Sequence, residues 1–198
     1  MLPAKLKNFN VFNDGASYLG VAKQLELPKL KMAGEEYRGA GMLAPVDVDL
    51  GLEKLELTAT YGGVVVGVLR QMGLTRVDGA MLRYVGAYQG DQGGFAVGEL
   101  VTRGRIMELD PGSAEAGEDT EWKVQSTLSY LKWTFNGTVE VEIDVLNGVY
   151  LIGGEDRMAD VRAIIGGSDT LGVGGGSGIG GAIGAAAGIA GFVGGFLG

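Results

Sequence analysis

Few side chains in this sequence could carry out chemistry, and their spacing narrows the choice further. Asp47, Asp49 and Glu53 form the densest carboxylate group, and three such oxygens could hold a calcium ion if they converged. The residues between them are apolar, however, so strand alternation puts Asp47 and Asp49 side by side on one solvated face. Ser126 and Ser129 could act as nucleophiles only with a base beside them. The chain has no His and no Cys, which removes the commonest general base, the thiol nucleophile, thiolate metal sites and disulfides. Gly174-Gly175-Gly176-Ser177-Gly178 suggests a phosphate cradle, but it lacks the Lys of a P-loop and follows no βαβ strand. Gly178, Gly180 and Gly181 give no dinucleotide fingerprint either. The expectation is a protein with no catalytic residues, no metal and no cofactor.

Charge excludes a second class. Sixteen basic against twenty-four acidic residues leave a net charge of −8 over 198 residues, whereas a base-reading nucleic-acid binder needs a positive footprint. The N-terminal stretch Met1-Leu2-Pro3-Ala4-Lys5-Leu6-Lys7-Asn8 lacks the apolar run of a signal peptide, so export is not expected. Glycine, 38 residues in all, is concentrated at the other end: 15 fall within 166–198, and no charge follows Asp169. The expected division is a charged domain over 1–165 and a Gly/Ala-rich extension over 166–198.

The elements that must position any site are mainly β. An apolar segment at 9–12 closes on the turn sequence Asn13-Asp14-Gly15, and a second runs from Tyr18 to Leu30, with Pro28 marking an edge or strand end. Residues 31–45 read as a long loop, with Gly34, Gly39, Gly41 and Pro45 around Glu35-Glu36-Tyr37-Arg38; loops of that length usually have a job. Val46, Val48, Leu50 and Leu52 then alternate with polar residues, and the apolar phase flips to Leu55, Leu57, Ala59 and Tyr61. That flip predicts a bulge or sharp bend near Glu53-Lys54 that lets one long strand serve two packing surfaces. Val65, Val68, Leu69 and Met72 predict a helix over 64–72 capped by Gly73, and Met158, Val161, Ile164 and Ile165 a second over 155–165. Strands are expected at about 80–88 and 95–109, and from Trp122 through Val124, Leu128 and Tyr130. Asn136-Gly137, between two β-rich runs, is the strongest hairpin signal. The resulting fold class is mainly β, an antiparallel sandwich or small barrel with one or two short flanking helices.

Several of these segments occur together in one known family. Leu6-Lys7-Asn8-Phe9-Asn10-Val11-Phe12-Asn13-Asp14-Gly15, Leu27-Pro28-Lys29-Leu30, Glu35-Glu36-Tyr37-Arg38-Gly39-Ala40-Gly41-Met42 and Pro45-Val46-Asp47-Val48-Asp49-Leu50-Gly51-Leu52-Glu53 resemble the major tail tube proteins of P2-type contractile bacteriophages, a family shared with R-type pyocins. Asp110-Pro111-Gly112, Ala116-Gly117-Glu118 and Glu142-Ile143-Asp144-Val145-Leu146-Asn147-Gly148-Val149 follow in the same order. The likeness spans roughly residues 2–165. It implies a structural subunit of the virion tail, made in the bacterial host cytoplasm. Its first partner would be itself, in hexameric rings whose sheets join into an inner barrel and which stack as a tube. The further partners implied are the sheath, tape measure, baseplate and tail terminator proteins. Genomic DNA would pass through the lumen of a phage tail, and ions through that of a pyocin-like particle. The resemblance also gives Glu35, Glu36, Tyr37, Arg38, Gly39, Gly41 and Met42 a role: they match the extended loop that reaches a neighbouring subunit.

Physical reasoning supports two of these implications. A β domain with free edges invites aggregation unless the edges are paired, and a ring pairs them. An acidic lumen would let DNA slide without sticking. The extension departs from the family, because the relatives end near the second helix. Gly180, Gly184, Gly188, Gly191, Gly195 and Gly198 recur at helical spacing, a pattern that brings helices close, in membranes above all. The extension is expected to pack within the tube assembly, with a flexible tail or contact with a membrane as the other readings, and a soluble, toxin-like β domain with a membrane-active tail is the alternative function.

Overall fold

Two turns reverse the chain with the same backbone. Asp14 and Gly15 have φ of 47° and 84°, and Asn136 and Gly137 repeat those values. Left-handed backbone at both central residues suits the twist of a two-residue hairpin, which is why Asp-Gly and Asn-Gly occupy it. The computed structural model describes residues 3–90 and 93–166. The first turn joins β1 (Lys5–Asn13) to β2 (Ala16–Ser17), and the second joins β9 (Trp122–Phe135) to β10 (Thr138–Asp144). Between them come β3 (Ala22–Glu26), β4 (Met32–Tyr37), β5 (Val46–Leu52), β6 (Glu56–Tyr61), α1 (Val66–Leu69), β7 (Ala80–Gln89) and β8 (Phe95–Asp110). β11 (Val149–Ile152), β12 (Glu155–Asp156) and α2 (Ala159–Ile165) complete the described chain.

Every pairing is antiparallel, in the order β12-β11-β10-β9-β8-β7-β1-β2. The sheet forks at β9. Its first half pairs with β6, which carries β3, and its second half pairs with β10. The fork folds β6 over the long strands, so Leu57, Ala59 and Tyr61 face Val11, Tyr84, Leu100 and Leu131 across one core. Val65 and Val68 complete it at one end. Leu100 and Leu131 are wholly buried, and each such side chain contributes about 1.5–3 kcal/mol of transfer free energy. Gly104 marks the tightest crossing: a Cβ there would lie 3.0 Å from the Leu128 Cα and nearer still to the Thr127 carbonyl. The β8–β9 register shifts at that residue, and any larger side chain would push the strands apart.

The mainly antiparallel architecture with two short flanking helices matches the expectation, while several boundaries change. Residues 32–37 form β4 and not a loop, so only 38–45 connects to the next strand. The expected bend at Glu53-Lys54 is a full break, after which β5 and β6 pair with different partners. The helix expected over 64–72 shrinks to Val66–Leu69, since one buried face, Val65 and Val68, satisfies a single turn and Gly73 has φ 80°. Residues 155–156 pair with β11, which delays α2 to Ala159. The β9 alternation breaks at Ser129: Leu128 and Leu131 both face the core, and Tyr130 falls on the other side. The phosphate-loop candidate and the glycine stripe lie outside the described residues.

Candidate functional site

β4 and β5 form a ribbon that pairs only with itself. It leaves the main sheet after Lys31 and returns at Glu53, where a backbone bond of 2.8 Å and a 2.6 Å ion pair clamp the two residues together. Met32 at the base approaches the Tyr150 hydroxyl, whose oxygen lies 3.7 Å from the Met32 sulfur. Beside this base runs a groove of about 910 Å³, lined by Leu52, Leu55, Leu128, Ile143 and Tyr150 among others. Beyond the base, both faces of the ribbon are exposed among the described residues.

Register separates the two faces chemically. Glu36 stands opposite Asp47, and Asp49 follows two residues on. Like charges directly opposite one another destabilise a ribbon, and none of these carboxylates has an ion-pair partner among the described residues. On the reverse face Glu35 lies opposite Val48 and Tyr37 opposite Val46. Tyr37 is 59% exposed and Val48 46%, so the apolar side that alternation suggested for a core is open in one copy. The expected carboxylate group is split as well. Asp47 and Asp49 share the acidic face, Glu53 turns to Lys31, and among the described residues no group of three acidic side chains converges on a metal position. Ser129 is buried, 3.4 Å from the carbonyls of Val77 and Arg103.

The tip, residues 38–45, is braced internally. The Gly39 amide donates to the Met42 sulfur at 3.0 Å, and the Met42 amide returns to the Gly39 carbonyl at 3.2 Å. A Cβ on Gly39 would sit 3.2 Å from the Tyr37 hydroxyl, so the absent side chain lets that ring fold over the turn. Gly41 supplies the left-handed residue, φ 84°. Arg38 reaches the Leu43 carbonyl at 3.4 Å. The structure thus brings Glu35, Glu36, Tyr37, Arg38, Gly39, Gly41 and Met42 together on one arm. Sequence reasoning missed Leu43, 98% exposed at the tip; its only signal was an isolated aliphatic residue between Met42 and a proline turn.

The sheet face turned away from the core has a different charge character. Arg83 pairs with Glu99, Lys132 lies opposite Glu142, and the Glu142 carboxylate accepts the Tyr130 hydroxyl at 2.8 Å. Bases and acids are mixed there, with Arg83–Glu99 as the ion pair among the described residues, while acidic residues gather on the ribbon and on residues 115–121.

The family model described as phage tail tube protein FII matches residues 3–166. The chain is 43% identical to the tail tube protein of Escherichia phage P2 over 169 residues, covering 83% of this chain and 98% of that protein. It is 36% identical to the major tail tube protein of Serratia phage KSP20, covering 88% and 99% respectively. Among solved structures, a chain of the PVC extracellular contractile injection system sheath–tube complex matches at a TM-score of 0.50 and 12% identity, covering 67% of this chain and 91% of that one. A chain of the PVC sheath/tube terminator matches at 0.51 and 10%, covering 68% and 98%. At such identities these two likenesses concern the fold alone.

Proposed function

The chain belongs to the phage tail tube protein FII family, and from that premise we propose that the β4–β5 ribbon is the arm by which one tube subunit holds the next. The protein is a structural tail tube protein, a component of the virion tail. Its assembly follows in finer detail from the family reading: hexameric rings, stacked into a rigid tube inside a contractile sheath, with the baseplate at one end and the terminator at the other. A tape measure protein and then DNA, or ions in a DNA-free particle, occupy the lumen. No catalytic role is part of this function, and the matches lend nothing to the toxin-like alternative.

The observation that carries the arm is the exposure of an ordered, hydrogen-bonded ribbon with apolar residues on one face and carboxylates on the other. A two-stranded ribbon is marginal in water by itself, and uncovered aliphatic and aromatic side chains mark surfaces that another molecule covers. The backbone edge of β1 before Val11 gives a second contact: Phe12 and Asn13 pair with β2 and the Val11 carbonyl accepts the Tyr18 amide at 2.8 Å, while the earlier residues pair with β7 alone among the described residues, and an open edge accepts a strand. We place the sheet face turned away from the core on the lumen, where its mixed charge, with Arg83 and Glu99 paired, would serve the sliding for which an acidic wall was expected. Ion pairs that are already satisfied, such as Arg83–Glu99, offer a passing phosphate little to hold. The tube domain is assigned to 1–165, with 166–198 as an extension; the family match ends at residue 166, in support of that division.

Negative-stain microscopy of the purified full chain tests the assembly. Long hollow tubes or six-fold rings are the expected result, and a protein that stays monomeric at high concentration contradicts it. Tyr37→Ala tests the arm: the monomer should fold normally and tubes should fail to grow.

A further inference from the structure

An arm needs an acceptor, and a second uncovered surface on the same chain has the matching chemistry. Between β6 and β7, Val64, Val66, Leu69, Met72, Leu74 and Val77 are all exposed. Gly73, in left-handed backbone, turns the chain among them. Arg70 and Arg76 stand within this aliphatic strip, Arg76 paired with Asp78 and Arg70 with no ion-pair partner among the described residues. Arg105 reaches in from β8 to donate to the Thr75 carbonyl, and its Nε is buried there without a hydrogen bond. The strip is therefore apolar and basic, where the arm's Glu35–Tyr37–Val46–Val48 face is apolar and acidic.

The two surfaces leave β6 from opposite ends. The ribbon leads into Glu56, and the strip follows Tyr61; six residues of strand separate their points of departure by about 20 Å. No hydrogen bond or ion pair joins them within one copy among the described residues. Two different, complementary patches at the two ends of a subunit make a head-to-tail contact, which repeats from copy to copy.

Resting on the reading of the ribbon as an arm, we propose that its Tyr37, Val46 and Val48 face lies on the 64–77 strip of a second copy, with Glu35 directed toward Arg70. The aliphatic side chains supply the burial that neither surface finds alone. The opposite charges set the register and speed the encounter.

Because the chain has no Cys, a cross-link reads the contact directly. The full-length double variant Val48→Cys, Met72→Cys, assembled into tubes and treated with a short bismaleimide, should give a ladder of multimers. A mixture of the two single variants should stop at dimers. Normal tubes that yield no ladder overturn the acceptor and leave the tube assignment standing. If the double variant does not assemble, charge reversal decides. Glu35→Lys and Arg70→Glu should each slow tube growth about tenfold or more, and the two together should restore it. Normal growth of Arg70→Glu, or no rescue by the pair, overturns the proposal. Normal growth of Tyr37→Ala instead removes the arm itself, and an unsubstituted protein that forms no tubes removes the assembly.

Discussion

Leu57 and Val48 are nine residues apart, and both belong to strands that alternate apolar and polar side chains. Leu57 is 2% exposed and Val48 46%. The difference lies in what each strand meets. β6 pairs on both edges, with β3 and β9, and its inner face closes on the long strands. β5 pairs on one edge only, and among the described residues Val46 to Leu50 stay exposed while only its last residue, Leu52, packs against the core. The same local pattern thus serves folding in β6 and, in the proposed assembly, contact between copies in β5.

The contrast breaks most clearly at the core. Leu131→Ala or Leu100→Ala removes a side chain with no exposure from between packed strands, and should cost about 2–5 kcal/mol by urea denaturation of the monomer. Val48→Ala, the same kind of truncation on the arm, should stay within about 0.5 kcal/mol. Equal losses at the two positions would mean that the arm is part of the folding unit.

The arm's own measure is growth. Tyr37 is the large aromatic residue of the uncovered face, and anchors of that kind are worth about 2 kcal/mol or more at an interface. Tyr37→Ala should therefore raise the protein concentration needed for tube growth about thirtyfold, with an unchanged monomer melting curve. A change in melting with normal growth would reverse the assignment of roles.

Much of the folded half could be read from residue patterns. Asn136-Gly137 named its hairpin, and the strand expected at about 95–109 is β8 almost to the residue. What was hidden depended on distant partners. β4 contains Gly34 and two glutamates, a composition poor in strand propensity, and is held as a strand by pairing with β5. The β6–β9 ladder joins residues more than sixty positions apart and has no local signature. The helix over 64–72 is shortened to one turn because Val68 packs inward while Val66, Leu69 and Met72 stay exposed; helical spacing reported an apolar strip without saying what covers it. For the arm, the motif named the residues, but alternation assigned Val46, Val48 and Leu50 to a core that one copy does not supply. The acidic total likewise gave no location, and the carboxylates gathered on the ribbon and on 115–121, leaving the sheet face balanced.

At the edge of the folded half the contrast can be sharpened by pH. The Asp156 carboxylate takes a 2.6 Å bond from Arg162 and a 3.0 Å bond from the Met158 amide, and the Arg162 bond, then the Met158 amide, hold its pKa down at about 2. A folded pKa below the unfolded value of about 3.9 means that this bond stabilises the protein fully above pH 4 and is lost as the pH falls through about 2. Asp156→Asn should lower the urea midpoint at pH 7, and the gap to the parent should close between pH 4 and pH 2. A gap that stays constant over that interval would assign the loss to packing instead.

The smallest effect is expected where the chain leaves the domain. Among the described residues every buried core residue lies between Val11 and Ile143; beyond that come β11, paired with β10 and β12 and resting Tyr150 on the core, and α2, with no residue buried. Ile165 is 78% exposed at its end. Nothing after it is needed to complete a ladder or close a cavity among the described residues. Residues 170–198 carry no charge and contain Ile179, Ile183, Ile189, Phe192, Val193, Phe196 and Leu197. Each such side chain gains about 1.5–3 kcal/mol when it leaves water, so this stretch favours a surface, and in the proposed assembly that surface is the tube. Truncation after Gly166 should therefore leave the far-ultraviolet circular dichroism and melting midpoint of the monomer unchanged within error, while altering the solubility or lateral contacts of assembled tubes. A truncated chain that does not fold would move the domain boundary past residue 166 and make the extension part of the core.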